Sequence, residues 1–136
     1  MAITTIVKEN PNILAQLNAE AQKVVLKMAE VGADALRENL SDTGGGRGVK
    51  YASLPNRSSA PGQYPIKQSG RLQGMVESGL TADGAYFGLV PNGADEREQA
   101  LALELGAPRQ NLIARAPVRR TAMDSRVHAR MRAVKL

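Results

Sequence analysis

The segment from Ser59 to Leu72 constrains the fold of this chain more than any other. It reads SAPGQYPIKQSGRL and includes two prolines and two glycines. Proline removes a backbone donor and glycine weakens regular structure, so the segment can form neither a helix nor a central strand. It must be extended or turned. Together with the glycine-rich run before it, the segment predicts a long mobile loop, or arm, over residues 41–68 that could reach beyond its own domain.

An amphipathic helix is predicted before this loop, from about Pro11 to Leu40. Its apolar residues recur at alternating three- and four-residue steps, and Asn10 can cap its first turn. The helix would be roughly 45 Å long. Its apolar stripe could pack in the core of the domain or extend into a contact between subunits. Gly32 beside the stripe could allow a close approach or simply be tolerated.

A hairpin is the clearest strand signal in the chain. Residues 75–81 and 85–90 fit strands, and Asp83-Gly84 is typical of the tight turn between them. Because a lone hairpin is marginal in water, it must lie on the long helix or join more strands.

Helix formers dominate the region that follows the hairpin. They predict a helix over 95–105, although the alternating leucines there also suit a strand. A short strand is possible at 111–115, and Pro117 can begin a last helix. The expected fold is therefore α+β, a single domain over 1–136. It has a long N-terminal helix packed on a small antiparallel sheet, with a C-terminal helix and a long extended loop.

Positive charge is concentrated at the carboxyl end of the chain. The whole chain has a formal net charge of +5, and in residues 107–136 Asp124 is the only acid. On one continuous helix, Arg119, Arg126 and Arg130 would lie within about 20° of one line. Such a row could contact phosphates or an acidic protein surface, or form a solvated basic face. The candidates for a contact with DNA or an acidic partner are Arg115, Arg119, Arg120, Arg126 and Arg130.

Residues able to support catalysis or metal binding are few. Cysteine is absent and His128 is the only histidine, which excludes disulfides and zinc sites built from several Cys or His ligands. His128 is expected to be exposed on the basic helix. The acidic residues Asp95, Glu96 and Glu98 cluster at the start of a predicted helix, where they would stabilise the helix macrodipole. Their spacing does not indicate a metal site. The sequence therefore predicts no enzyme, catalytic residue, cofactor or metal.

Two further classes of site are not indicated. The glycine run at 44–48 lacks the spacing of a phosphate-binding loop and is interpreted as a hinge for the loop. The apolar run at the amino terminus is too short for a signal peptide, and no stretch approaches a membrane span. An intracellular protein with no membrane partner is therefore expected.

Three segments resemble, in the same order, the small bacteriophage head–tail joining proteins, also called tail-completion or neck proteins. The first runs from Ala60-Pro61-Gly62 to Ser69-Gly70-Arg71-Leu72, where the family has Ala-Pro-Gly-x-x-Pro leading into Thr/Ser-Gly-Arg-Leu. The second is 103–107, where the family closes with Glu-x-Gly-Thr. The third is 117–122, similar to a family segment Pro-Phe-Leu-Arg-Pro-Ala. The chain departs from these patterns at Ala107, Val118, Arg119 and Thr121, and it lacks the aromatic residues expected before Glu104.

The resemblance implies a structural virion protein. The chain would form a homo-oligomeric ring, six-fold in the family, at the head–tail junction. There it would complete the tail or seal the neck around the DNA path. Its partners would be its own copies, other neck proteins and the tail tube, with non-specific contact to DNA in the channel. The candidates for the subunit interface are Pro61, Tyr64, Pro65, Gly70 and Arg71.

Two alternatives remain open on the sequence alone. Arg71 could pair with a carboxylate of its own subunit instead of a neighbour. The whole chain could also be a small basic DNA-binding or packaging accessory protein that uses residues 109–135. That alternative predicts duplex binding that weakens as salt is raised.

Overall fold

This computed structural model describes residues 11–110 and 112–135, with side chains described from residue 15 onward. The expected α+β fold is confirmed: a long N-terminal helix packs on a two-stranded antiparallel sheet and against helices from the carboxyl end. The elements in chain order are α1 (Pro11–Asn39), α2 (Arg71–Gly74), β1 (Val76–Leu80), β2 (Ala85–Leu89), α3 (Ala94–Leu105), a 3-10 turn (Pro108–Gln110), α4 (Pro117–Met123) and α5 (Ser125–Arg132).

The core lies where the second half of α1 meets the hairpin. Leu36 and Leu40 are buried against Val76, and Phe87 and Val118 pack around them. Each fully buried leucine of this kind stabilises the fold by about 1.5–3 kcal/mol. The predicted helix from Pro11 to Leu40 is thus confirmed to within one residue, whereas its predicted cap, Asn10, lies outside the described residues.

The hairpin is confirmed as predicted. Val76 pairs with Leu89 and Leu80 with Ala85, and the turn is closed by the backbone N–H of Thr81, which donates to the carbonyl of Gly84 at 2.8 Å. Two strands alone would be marginal, so the sheet depends on its contact with α1.

Gly32 permits the close approach of the sheet and α5 to α1. It is buried, and a β-carbon there would lie 2.8 Å from Met131 Cε and closer still to the ring of Phe87. Contacts this short are avoided by real side chains, so any larger residue must displace its neighbours. Of the two interpretations of Gly32, the structure therefore supports close packing.

Replacing Gly32 with alanine is expected to lower the free energy of unfolding by about 1 kcal/mol, because overpacking outweighs the gain in helix propensity. Gly74→Ala is the matched control, since no atom lies within 4 Å of a β-carbon at that position. Urea denaturation of both variants measures the difference. Equal stability of the two would contradict the packing role.

The region 94–116 differs in part from the sequence expectations. The helix predicted over 95–105 is confirmed as α3, which leaves Leu101 and Leu105 exposed while Leu103 lines a pocket beside Ser59. The strand predicted at 111–115 is not found among its described residues. Leu112 makes only an isolated bridge to Ala107.

The single last helix predicted from Pro117 is wrong, because the chain forms two helices that break at Asp124. This residue is extended, with φ −71° and ψ 122°, and its side chain accepts a hydrogen bond from the backbone N–H of Arg126. An aspartate in this position caps a new helix and ends the old one. Arg119 in α4 and Arg126 in α5 therefore do not share one helical line.

The segment predicted as an arm is hydrogen-bonded to itself and closed at its base. The backbone N–H of Lys67 donates to the carbonyl oxygen of Asp42 at 2.8 Å. The backbone N–H of Gly48 donates to the carbonyl oxygen of Ser58 at 2.8 Å. β-Carbons at Gly46 and Gly48 would collide with carbonyl oxygens across the loop, so these glycines let the two sides of the loop approach. The mobility of the loop stays a prediction.

Candidate functional site

The three segments that carry the resemblance meet at one place in the fold. We call this place the junction and define it by residues 59–64, 103–104 and 115–121. Its contacts connect the loop, the end of α3 and the start of α4. These residues are far apart in sequence, so tertiary folding alone brings them together.

Arg115 is the buried centre of the junction. It is 8% exposed, and its Nε donates to Ser59 Oγ at 2.9 Å while its Nη2 donates to the carbonyl oxygen of Ser59 at 3.0 Å. The backbone N–H of Arg115 donates to the carbonyl of Leu103 at 2.8 Å, which directs the side chain inward. Sequence reasoning placed Arg115 among the candidates for DNA contact, but a guanidinium so enclosed fastens the loop and is not an exposed cation.

Glu104 caps α4 from the end of α3. Its Oε1 accepts from the backbone N–H of Val118 at 2.7 Å and from that of Arg119 at 3.2 Å. Pro117 precedes these residues and has no N–H to satisfy. A carboxylate at this end of a helix is stabilised by unpaired N–H groups and by the macrodipole. Its Oε2 is buried and has no hydrogen-bond partner among the described residues.

The turn that precedes α4 is strained. Ala116 has φ 44°, the left-handed conformation that residues with a β-carbon rarely adopt. Its backbone N–H donates to the carbonyl of Leu103 at 3.0 Å, which helps to hold the turn. After this sharp turn the chain begins α4 at Pro117, and the first N–H groups of α4 reach the carboxylate of Glu104.

Tyr64 and Arg120 contact each other across the junction. The guanidinium carbon of Arg120 lies 4.2 Å from the centroid of the Tyr64 ring, and Nη2 donates to the carbonyl of Gly62 at 2.9 Å. A cation over a tyrosine ring is stabilised by about 0.5–2 kcal/mol. Arg120 Nη1 is buried without a hydrogen-bond partner among the described residues. The sequence predicts Tyr64 for the subunit interface and Arg120 for a contact with DNA or an acidic partner, but the two residues lie on one surface.

Thr121 attaches α4 to the end of α1. It is fully buried, and its Oγ1 accepts a hydrogen bond from Asn39 Nδ2 at 3.0 Å. Sequence reasoning gave no role to Asn39, Ser59 or Glu104, and Thr121 entered only as a departure from the family pattern. No local signal could have found these contacts, because the partners are from 14 to 82 residues apart.

The other candidates for the subunit interface lie in different environments. Pro61 and Arg71 are exposed, and Pro65 is buried. Gly70 has φ 85°, where glycine is favoured. Ser69 Oγ accepts from the backbone N–H of Arg71 at 3.3 Å. The Arg71 guanidinium forms no ion pair within the part of the chain that the structure describes.

The remaining C-terminal arginines are partly engaged within the subunit. Arg126 pairs with Asp124 at 3.1 Å and Arg130 with Glu38 at 3.4 Å, whereas Arg119 is exposed without an ion pair to a described residue. Exposed pairs of this kind contribute little to stability. An open surface, which we call the basic cleft, is lined by Tyr64, Arg119, Arg120, Met123, Asp124 and Arg126.

The hydrogen bond from the Arg126 side chain, followed by the bond from its backbone N–H, lowers the pKa of Asp124 below its ordinary value of 3.8. Because the folded-state pKa is lowered, the stabilisation is present above pH 3.8 and is lost as the pH falls through the lower folded-state pKa. The amide NMR signal of Arg126 should therefore titrate with a midpoint below 3.8. Asp124→Asn should abolish that titration while it keeps an oxygen for the cap. A midpoint at or above the ordinary value would contradict this.

The following observations concern residues 11–110 and 112–135. His128 is exposed, as predicted, and its ring Nε2 contacts the carbonyl oxygen of Ala122. No group of three acidic or histidine side chains in this part of the chain is arranged to hold a metal ion. None of the described helices has both the length and the apolar character needed to cross a bilayer.

No family model matches the chain, and no curated protein or solved structure matches it either. Its function has to be inferred from its own residues and their contacts.

Proposed function

We propose that this chain is a structural subunit of a bacteriophage neck, a ring-forming head–tail connector that joins the capsid to the tail. The observation that carries the proposal is the junction. In it Ser59, Glu104 and Arg120, one next to or within each segment that resembles the joining proteins, all take part in one set of contacts.

The first half of α1 supports a role in assembly. The helix has 29 residues, which makes it about 44 Å long, but residues 15–23 are exposed apart from the half-buried Glu20. Leu17 in this part is 57% exposed. Among the side chains that the structure describes, those of α1 that pack in the core lie in its second half, so residues 15–23 offer their exposed surface to another subunit.

An open apolar groove continues this stripe along the body of the protein. Its lining residues come from α1, β2 and α5 and are Val25, Met28, Ala29, Ala85, Tyr86, Phe87 and Met131. The groove leaves Tyr86 40% exposed and so offers apolar surface to a neighbouring subunit. A ring subunit needs such surfaces, because each copy must contact two neighbours.

The proposed mechanism is assembly by complementary surfaces, without chemistry on a substrate. The contacts of the junction attach the loop to α3 and α4. They hold the interface candidates Pro61 and Tyr64 in place against the body of the protein. Copies of the chain would form the ring, which would then contact other neck proteins and the tail tube around the DNA path.

The proposal is tested by removing the protein from the phage that encodes it. Infected cells should then accumulate heads and tails that are not joined, and purified protein added to the extract should restore joined, infectious particles. The same protein with residues 44–68 deleted should fail to restore them. Tailed particles formed at normal yield without the protein would contradict the proposal, as would joined particles with empty heads, which indicate a packaging accessory protein.

A further inference from the structure

We propose that copies of this chain contact each other head to tail, with the outward face of α3 docked in the basic cleft of the next copy. The inference rests on the proposed ring and names the two surfaces that form its subunit contact. We call the outward face of α3 the acidic face and define it by Ala94, Asp95, Arg97, Glu98, Leu101 and Leu105.

The acidic face presents two leucines to solvent. Leu101 is 51% exposed and Leu105 is 74% exposed. Their spacing of four residues places them side by side on the helix, while Ala100 and Glu104 face the body of the protein. Two adjacent leucines are more apolar surface than a helix facing only water requires.

Unpaired carboxylates precede these leucines on the helix. The first turns of α3 carry Asp95, Glu96 and Glu98 against Arg97 alone. Neither Asp95 nor Glu98 forms an ion pair with any residue that the structure describes. The face therefore has a negatively charged N-terminal half and an apolar C-terminal half.

The basic cleft has the opposite charge, and it also exposes an apolar side chain. Met123 is 71% exposed within it, and three arginines surround it against the single acid Asp124. Arg119 is exposed and forms no ion pair with the described residues. Methionine adapts well to an opposing apolar side chain.

The two surfaces complement each other as the halves of a protein interface do. Each combines exposed apolar side chains with charged groups, and the charges have opposite sign on the two sides. The acidic face and the basic cleft share no residue. The groove beside Leu101 and Leu105 is lined only by residues of α3, of the 3-10 turn and of the short connection between them. One copy can thus present both surfaces at once, as a head-to-tail ring requires.

A protein surface fits the basic cleft better than DNA does. The side chain that distinguishes the two kinds of partner is Met123, which is 71% exposed in the basic cleft. The exposed Met123 has no counterpart on a phosphate backbone, whereas leucine side chains would cover it.

The test uses two variants of the full chain that each damage one surface. The cleft variant carries Arg119→Glu and Met123→Glu, and the face variant carries Glu98→Lys and Leu101→Lys. All four side chains are exposed on helices, so both variants should fold, which circular dichroism verifies. Glu77→Lys, an exposed charge reversal on β1, is the control.

In sedimentation velocity, the wild-type chain and Glu77→Lys should form oligomers as concentration rises. Each damaged variant alone should remain a monomer. An equimolar mixture of the two should form a dimer and nothing larger, because only one intact face and one intact cleft are left to combine. This rescue by mixing is specific to a head-to-tail contact between the two named surfaces.

Three outcomes would overturn the inference. Oligomers that both variants form as well as the wild type would show that the ring uses other surfaces, and the joining assay would then still decide the proposed function. A mixture that stays monomeric, or a wild-type chain that never associates, would also contradict it. If instead only the cleft variant lost salt-dependent binding to duplex DNA, with oligomers unchanged, the cleft would be a nucleic-acid surface.

Discussion

Arg115→Ala is expected to lower the free energy of unfolding by about 3 kcal/mol, because it leaves the buried carbonyl and hydroxyl of Ser59 without their donor. A loss of this size is a large fraction of the total stability of a small domain. Urea denaturation followed by circular dichroism measures it. Arg115→Met should have a smaller effect, since it keeps the packing of the side-chain stem.

Arg119→Ala is the matched control for this experiment. Arg119 lies on the neighbouring exposed surface, so its replacement should change the stability by no more than about 0.5 kcal/mol. If Arg115→Ala were as harmless as Arg119→Ala, the buried hydrogen bonds of Arg115 would not hold the loop to the body of the protein.

Glu104→Ala is expected to lower the free energy of unfolding by about 2 kcal/mol, because the backbone N–H groups of Val118 and Arg119 lose their shared acceptor. Glu104→Gln should have a smaller effect, since an amide oxygen can still accept these bonds. Hydrogen exchange should show faster opening of α4 in the alanine variant than in the wild type.

Glu98→Ala is the control on the same helix, where the carboxylate is exposed and makes no cap. It should stay within about 0.5 kcal/mol of the wild type. A Glu104→Ala protein with unchanged stability and unchanged exchange in α4 would show that the cap is dispensable.

Local patterns in the sequence predicted the elements that form the core. The apolar period of α1, the Asp83-Gly84 turn and the helix formers of α3 are each properties of a short window, and the structure confirms all three. The α+β class follows from their order along the chain.

The division between α4 and α5 was missed because two local signals compete there. Met123, Val127 and Met131 recur every four residues, a spacing that favours one apolar face on a continuous helix. Asp124 is also a good N-cap residue. In the structure it ends α4 and caps α5, which leaves Met123 71% exposed. The mistaken arginine row followed from this one choice.

The contacts of the candidate site could not be predicted from local patterns. Ser59 and Arg115 are 56 residues apart, and Glu104 and Val118 are 14 apart. Tyr64 and Arg120 were each identified as candidates, but their pairing depends on how the loop folds over α4. Only the resemblance to the joining proteins had grouped these segments, and it gave no contacts.

The proposed place of this protein in the virion is tested most directly by immunogold electron microscopy of purified particles. An antibody raised against the chain should place gold at the head–tail junction of intact particles, with no signal over the capsid or along the tail. The same antibody must bind the denatured protein on a blot. Gold absent from both intact and disrupted particles would contradict the assignment to the neck.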